Sequence, residues 1–219
     1  YDTGRNVFGY EFENVPGSKM SLRSLRASKL FARAGVEAYV FDPESEILMS
    51  KNGESIQKNC NAVTVCGGQV VLISNRLEEG ITGESLFAHE LIHSYLKSNN
   101  DIIRKRVENF HNSVIDNINK NSEFYIKTSR ILELVYGQMS DRAFSEEFVA
   151  FSSAFIAEDI NNVSGDIFKN PSEVLRAWKK VFSQFNLVDG GRLYSLGMDD
   201  SVSEEDVRFV IRENEELSE

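Results

Sequence analysis

The sequence predicts an α+β protein in which a small, mainly antiparallel sheet precedes a helical half. Residues 36–75 contain short runs of alternating or apolar residues, separated by turn signals at Asn52-Gly53 and Gly67-Gly68. Residues 82–185 instead carry apolar residues at helical spacing, interrupted by residues that begin and end helices. A chain of 219 residues without a low-complexity linker is expected to form one domain.

The predicted elements follow one another along the chain. A basic N-terminal helix spans 18–34, and Gly35 follows it in the position that ends many helices. The sheet contains four or five strands within 36–75, including hairpins over 46–57 and 62–74. Six further helices are expected: about 83–97, 102–119, 123–135, 141–157, 171–185 and 203–215.

Composition excludes some functions. The net charge is −10, from 34 acidic and 24 basic residues, which argues against binding nucleic acid through its phosphates. No apolar run approaches the roughly 18 residues that span a bilayer, so a soluble protein is expected. The chain starts at Tyr1, which indicates a processed form or an excised piece, and the source compartment and oligomeric state stay open. The acidic segment 199–219 is expected to be solvated.

Two cysteines do not make a disulfide framework. Cys60 and Cys66 are six residues apart, a separation of about 20 Å in one continuous strand, where they could not bond. A disulfide would need a turn between them. Whether they are bonded stays open.

The run Gly83–Leu96 contains the pattern H-E-x-x-H, formed by His89, Glu90 and His93. On a helix, residues four apart lie one turn apart, so both imidazoles can point at one zinc ion. Glu90 lies beside the first ligand, where its carboxylate can act as a general base. The run is apolar almost all round, which predicts a buried central helix. The alternative is a pair of satisfied core histidines, but only three histidines occur in the whole chain.

Catalytic zinc takes three protein ligands and keeps one position open, so a third ligand is needed. Glu147 is favoured over Glu146, because helical phase places Glu147 beside an aromatic stripe and Glu146 towards solvent. This stripe consists of Phe144, Phe148, Phe151 and Phe155. Two alternatives stay open: Glu147 as a boundary residue half in water, and His111, the remaining histidine, as the ligand.

Several motifs together resemble the anthrax lethal factor-like zinc metallopeptidases and the related secreted Pro-Pro endopeptidases. Besides H-E-x-x-H, they are Tyr136-Gly137, Glu147-Phe148-Val149-Ala150, Ser153-Ala154-Phe155 and Asn170-Pro171. That group usually has glycine between the histidines, whereas this chain has Leu91-Ile92. The HELIH motif itself is similar to ATP-synthase-processing peptidases and to some bacterial effector metalloproteases.

The resemblance implies a zincin-like fold and a metal site of gluzincin type. It implies zinc ligands at His89, His93 and Glu147, with Glu90 as the base. It also implies that Tyr136 stabilises the oxyanion or the leaving group, although its spacing from Glu147 exceeds that of the family. The alternative for Tyr136 is a ring packed in the core.

The resemblance also bears on the strand before the metal-binding helix. It implies that residues 69–75 form an edge strand that pairs with an extended substrate. The run is apolar on both faces, so a central strand is the alternative.

The expected function is zinc-dependent endopeptidase activity on a protein or peptide substrate. One alternative is a narrow-specificity toxin or effector protease, secreted or delivered by a bacterium, with one protein target. The other is a zincin-derived binding module without turnover. Substrate and cleavage specificity are not encoded in these motifs.

Overall fold

The computed structural model describes residues 5–7, 10–12, 22–41, 61–65, 68, 70–75, 77–182, 188–189 and 192–193. The described residues fall into two compact units, of which the first ends at Leu86 and the second begins at Phe87. They are mostly helical with a small sheet, which confirms the α+β class. The expectation of a single domain stays a prediction, because the boundary between the units lies within a continuous helix.

The described elements are short strands and longer helices. The strands are β1 (Arg5–Val7), β2 (Tyr10–Phe12), β3 (Glu37–Phe41), β4 (Ala62–Val65), β5 (Val70–Ser74), β6 (Val188–Asp189) and β7 (Arg192–Leu193). The helices are α1 (Leu22–Arg33), α2 (Gly83–Leu96), α3 (Asp101–Asn117), α4 (Glu123–Tyr136), α5 (Asp141–Glu158) and α6 (Pro171–Phe182), with a 3₁₀ turn at Ile160–Asn162. Strands β1 and β2 form one antiparallel pair, and β6 and β7 form another.

The central sheet corrects two predictions. Its described order is β3-β5-β4, with β3 parallel and β4 antiparallel to β5, so it is mixed rather than mainly antiparallel. The predicted hairpin of β4 and β5 is confirmed. However, β5 has a neighbour on both sides and every one of its residues is buried. The edge strand implied by the resemblance is therefore wrong, and the apolar run forms a central strand.

Other predictions fall outside the described residues. These are the hairpin over 46–57, the helix over 203–215, the acidic segment 199–219 and both cysteines, Cys60 and Cys66.

Helix α1 ends as the sequence predicts. Gly35 has a left-handed backbone with φ of 69°, its N–H donates to Ala32, and the Val36 N–H donates back to Phe31 at 3.0 Å. This is the hydrogen-bond pattern of a Schellman motif, which glycine forms without steric cost. The chain then passes directly into β3.

An arginine on α1 organises the loop before α2. The Arg23 guanidinium donates to the carbonyl oxygens of Leu77, Glu78 and Ile81 at 3.0, 2.9 and 2.8 Å. Carbonyl groups in a loop have no partner within regular structure, and these bonds satisfy three of them. Arg23 thereby fixes the approach of the chain to α2.

Helix α2 begins with a reciprocal cap. The Ser85 N–H donates to Thr82 Oγ1 at 3.0 Å, and the Thr82 N–H donates to Ser85 Oγ at 3.1 Å. Such a pair satisfies N–H groups that a helix start leaves free. Along the next two turns, Phe87, Ala88, Leu91 and Ile92 are fully buried, so the predicted burial of this helix is confirmed.

The second unit contains most of α2, helices α3 to α6 and the β6–β7 pair. The N-terminal cap of α4 is Ser122 and that of α5 is Ser140, and Gly137 ends α4 with φ of 68°. The end of α3 lies beside the start of α6, because Ile118 and Phe168 form an antiparallel bridge. The two helices also contact each other along their lengths, and since the end of one lies beside the start of the other, they run in opposite directions. No helix in this part of the chain, or elsewhere among the described residues, is long and apolar enough to cross a membrane.

Gly83→Ala should destabilise the chain, because Gly83 lies directly against the backbone of α1. A β-carbon there would meet the Arg23 carbonyl oxygen at 2.8 Å and the Ala27 nitrogen at 3.0 Å. Overpacking of this kind costs about 1–3 kcal/mol in the free energy of unfolding. Urea denaturation measures it.

Gly165→Ala is the matched control, since a β-carbon at Gly165 has no neighbour within 4 Å. Its effect should stay within about 0.5 kcal/mol. Equal stability of the two variants would contradict the close packing at Gly83.

Candidate metal centre

Three polar side chains from two helices of the second unit converge on one point. His89 and His93 lie one turn apart on α2, and Glu147 reaches them from α5. Their side chains are 15%, 14% and 20% exposed, so the cluster is largely but not completely buried. The helical phase that favoured Glu147 over Glu146 thus agrees with the structure.

The distances within the cluster are short and similar. The two Nε2 atoms of His89 and His93 lie 3.3 Å apart. Glu147 Oε1 lies 3.4 Å from His93 Nε2, and Glu147 Oε2 lies 3.6 Å from His89 Nε2. One ligand atom from each of the three residues can therefore be chosen so that all lie within 4.8 Å of one another.

The spacing of these atoms is compatible with a shared metal ion. Ligand atoms at about 2.0–2.2 Å from zinc, separated by a tetrahedral angle, lie about 3.4 Å from one another. The two imidazole nitrogens are 3.3 Å apart and Glu147 Oε1 lies 3.4 Å from His93, whereas the 3.6 Å contact with His89 is made by the other carboxylate oxygen, Oε2. The three residues could therefore hold a metal ion.

One buried atom of the cluster is unsatisfied. Glu147 Oε2 has no hydrogen-bond partner among the described residues, since the 3.6 Å contact to His89 is too long for one. A buried carboxylate oxygen without a partner carries a large desolvation cost. A cation at the centre of the cluster would remove that cost.

The contacts within the metal-free cluster also favour the ionised form of Glu147 and the protonated form of His93. Burial raises the pKa of Glu147, but its contacts with His89 and His93 outweigh burial and hold that pKa well below its usual range. Burial lowers the pKa of His93, but the bond to Glu147 and the charges of Glu90 and Glu147 outweigh it and raise that pKa. Glu147 is therefore ionised at neutral pH and presents a carboxylate ligand.

The ring of Phe151 contacts His89, and the sequence did not indicate this contact. The ring of Phe151 meets the ring of His89 edge to face, with centroids 5.0 Å apart and an interplanar angle of 86°. Phe151 follows Glu147 by one helical turn, so α5 supplies both contacts. The sequence placed Phe151 in a buried stripe, but its contact with His89 depends on how α2 and α5 pack.

The stripe itself is only partly buried. Phe148 is 1% exposed, whereas Phe144, Phe151 and Phe155 are half-buried. Phe124 of α4 packs against Phe148 and Phe155 with centroids 5.8 and 4.7 Å away. These rings hold α4 against the helix that carries Glu147.

The other two candidate ligands make different contacts. Glu146 Oε1 accepts a bond from the Arg142 guanidinium at 2.9 Å. His111 Nε2 lies 3.3 Å from the hydroxyl of Ser145. Neither residue belongs to the cluster of donor atoms found among the described residues.

The two predicted catalytic residues differ in their surroundings. Glu90 is only 6% exposed and follows His89 on α2, and its charge acts on His93. Tyr136 lies in the last turn of α4 and is 49% exposed. A ring packed in the core is therefore wrong for Tyr136, and its role in catalysis stays a prediction.

Comparisons of the chain with protein-family models, with curated proteins and with solved structures found no match.

Glu147→Ala should strip the metal, whereas Glu146→Ala should not. The first change removes one of three donor groups and leaves two imidazoles without an anionic partner. The zinc content and the melting temperature of the zinc-loaded chain should both fall, because metal binding is linked to folding. Metal analysis and thermal melting of the purified variants measure both.

Glu146 lies on the same helix, and its ion pair with Arg142 is on the surface, so its removal should cost at most about 0.5 kcal/mol. Loss of zinc from Glu146→Ala with retention in Glu147→Ala would overturn the ligand assignment. If both variants keep zinc, the ligand assignment also fails, and His111 becomes the candidate.

In the metal-free chain, the pKa of His93 should lie above its ordinary value of about 6.5. Its protonation then stabilises the fold below that ordinary value, and the contribution is lost as pH rises through the folded-state pKa. Since zinc needs the neutral imidazole, affinity for zinc should fall as pH drops through the same pKa. The ring signals of His93 in an NMR titration of the metal-free chain measure this pKa directly.

Glu147→Gln removes one of the two carboxylate charges that raise the pKa of His93 while keeping the size of the side chain. The His93 midpoint should then move to lower pH. An unchanged midpoint would show that Glu147 does not interact with His93 in solution.

Proposed function

We propose that the chain is a zinc-dependent endopeptidase of gluzincin type. The observation that supports this most strongly is the convergence of His89, His93 and Glu147, whose ligand atoms lie close enough to hold one metal ion. Glu90 adds a buried carboxylate next to the first of these ligands. Three ligands in a partly exposed site and an adjacent base are among the features that metal-assisted hydrolysis of a peptide bond requires.

The proposed roles follow from position and charge. Zinc, when bound, supplies a Lewis acid for the scissile carbonyl and lowers the pKa of water. Glu90 then removes a proton from the attacking water and delivers it to the leaving amine. Glu147 is ionised and completes the ligand set, and Phe151 restrains the ring of His89.

The two histidines differ in how they are held. The ring of His89 lies between the ring of His93, at 5.1 Å, and that of Phe151, at 5.0 Å. His93 is instead held through its contact with the ionised carboxylate of Glu147. Both imidazoles thus approach the centre with restricted orientation, which favours a preformed site.

Tyr136 is proposed as a group that stabilises the oxyanion or the leaving group. Its half-exposed ring lies five residues before Asp141, the first residue of the helix that carries Glu147. A phenolic hydroxyl is a suitable donor to a developing negative charge.

Glu90→Gln should keep zinc and the fold but lose most activity. The change removes proton acceptance and hardly alters volume, and a general base contributes about 10²–10⁴-fold to rate. Cleavage of a peptide library by the purified chain, followed by mass spectrometry, measures activity. Removal of zinc by a chelator should abolish the same cleavages.

An active Glu90→Gln variant would refute the proposed base. If the unmodified, zinc-loaded chain cleaves no peptide, the proposed endopeptidase activity is wrong, and a binding module that retains the metal becomes the better explanation.

A further inference from the structure

Helices α4 and α5 carry rows of side chains with the same spacing. The row on α5 is the aromatic stripe, and the row on α4 consists of Phe124, Thr128, Ile131 and Val135. In both rows the members lie at i, i+4, i+7 and i+11, so they share one face of their helix. Each row is therefore expected to be buried along its whole length.

The two rows cover each other at one end of the helix pair. The ring of Phe124, in the first turn of α4, packs against Phe155, in the last turn of α5, with centroids 4.7 Å apart. Phe124 also packs against Phe148 at 5.8 Å, and Thr128 is buried. Since only residues 137–140 join α4 to α5, the two helices run in opposite directions. The other ends of both rows therefore lie near this connection.

Near the connection, the row on α4 is exposed. Ile131 is 44% exposed and Val135 is 63% exposed, and Leu134 beside them is 77% exposed. Phe144, the first member of the aromatic stripe on α5, is half-buried. We call these four side chains the α4–α5 apolar patch.

The α4–α5 apolar patch differs from the other exposed apolar positions because it is contiguous. Ile131, Leu134 and Val135 lie at i, i+3 and i+4, so they are neighbours on the helix surface. Three other large aliphatic side chains are exposed in the described part of the chain: Ile102, Ile115 and Ile126. The first two lie far apart on α3, and the third points about 140° away from Ile131 around α4. Single exposed apolar residues are common, whereas a contiguous patch marks a binding surface.

The α4–α5 apolar patch leads to the metal centre along α5. Glu147 follows Phe144 by three residues, and Phe151, further along the same row, contacts the ring of His89. Along the helix axis, Phe144 lies about 5 Å from Glu147, and the start of α5 lies about 9 Å from it. The axis of a packed neighbouring helix such as α4 lies about 8–10 Å away. An extended peptide at the metal centre therefore reaches the patch within about two to four residues.

The α4–α5 apolar patch is too small for a stable interface with a second copy of the chain. Exposed aliphatic side chains offer on the order of 100 Å² each, so Ile131, Leu134 and Val135 together present roughly 200 Å². A stable interface buries about 800 Å² on each partner. A second copy also carries a net charge of −10, and like charges oppose association. A short apolar segment of a peptide matches the area of the patch.

We propose that the α4–α5 apolar patch binds bulky apolar side chains of a peptide substrate, about two to four residues from the bond that is cleaved. This proposal rests on the proposed peptidase function, because the adjacent metal centre is what makes a peptide the occupant. Leucine, isoleucine and phenylalanine side chains fit, since they gain free energy when Ile131, Leu134 and Phe144 remove them from water. The patch thus selects substrates without touching the reacting atoms.

Fluorescence anisotropy with two labelled peptides tests the binding. Both peptides have about 12 residues, about 40 Å when extended, and consist of alternating glycine and serine. One of them carries Leu-Phe-Leu-Phe at its centre. The zinc-loaded Glu90→Gln chain is used, so that binding is measured without cleavage. The Leu-Phe peptide should bind and the glycine–serine peptide should not, and added salt should hardly change the affinity, because charges do not contribute.

Ile131→Gln with Leu134→Gln should lower the affinity for the Leu-Phe peptide by about tenfold or more, because both changes remove apolar surface from the patch. Leu134→Gln alone changes the most exposed of these positions, disturbs the fold least, and should lose affinity to a smaller extent.

The matched control is Ile102→Gln with Ile126→Gln, which removes two exposed isoleucines outside the patch. It should change the affinity by less than about twofold. Thermal melting and zinc content confirm that each variant is folded and keeps the metal.

Cleavage of a peptide library by the unmodified, zinc-loaded chain tests the position of the patch relative to the metal centre. Cleaved peptides should be enriched in leucine, isoleucine and phenylalanine about two to four residues from the cut bond. Ile131→Gln with Leu134→Gln should lose this enrichment and raise KM for apolar peptides. Its kcat should stay nearly unchanged, because the patch does not contact the reacting atoms.

Failure of the Leu-Phe peptide to bind would overturn the proposal, and so would an equal loss of affinity in the patch variant and in the matched control. A dimer in analytical ultracentrifugation that the patch variant abolishes would assign the patch to a second copy instead. Cleavage without apolar enrichment overturns this proposal and leaves the peptidase function intact. Binding through the patch by a chain that cleaves no peptide overturns the peptidase function, and the patch then binds an apolar peptide without turnover.

Discussion

The contact of Glu147 with two histidines is the constraint on which the rest of the second unit depends. Two imidazoles 3.3 Å apart and a carboxylate are held in a site where each side chain is at most 20% exposed. Removing these groups from water has a cost that neighbouring apolar side chains cannot offset. Helix α5 contacts the histidines of α2 through Glu147 and Phe151, and one oxygen of the Glu147 carboxylate has no hydrogen-bond partner among the described residues.

The helices around this contact are held by features with a recognisable local cause. Serine side chains cap α4 and α5, and glycine ends α4. Aromatic rings from α4 pack on those of α5, and the indole N–H of Trp178 on α6 donates to Ser153 of α5 at 3.0 Å. Helix α5 is thus restrained on two sides, which limits how far Glu147 can move relative to the histidines.

The same helical framework also determines the surface between α3 and α6. Helix α3 buries Val107, Phe110 and Val114, and helix α6 buries Val174, Trp178 and Val181. Their outer rows then lie close together, and Arg106, Arg176 and Lys180 are among the described residues that line a small surface cavity between them. Core packing determines the spacing of these charges, so the surface property follows from the arrangement of the interior.

The sequence alone determined the local features of this protein. The spacing of His89 and His93, the helical phase of Glu147 and the glycine that ends α1 all depend on residues within a few positions of one another. Helix boundaries were predictable to within a few residues for the same reason. Such local features follow from the spacing of apolar residues and from the residues that cap helices.

The tertiary structure decided which distant segments meet. The parallel pairing of β3 with β5 joins residues more than 30 positions apart, and it makes β5 a central strand. The contact of Phe151 with His89 and the facing rows of α3 and α6 likewise join segments far apart in the chain. An apolar strand or an amphipathic helix specifies that a face is buried, but the choice of partner depends on the shape and packing of the whole interior.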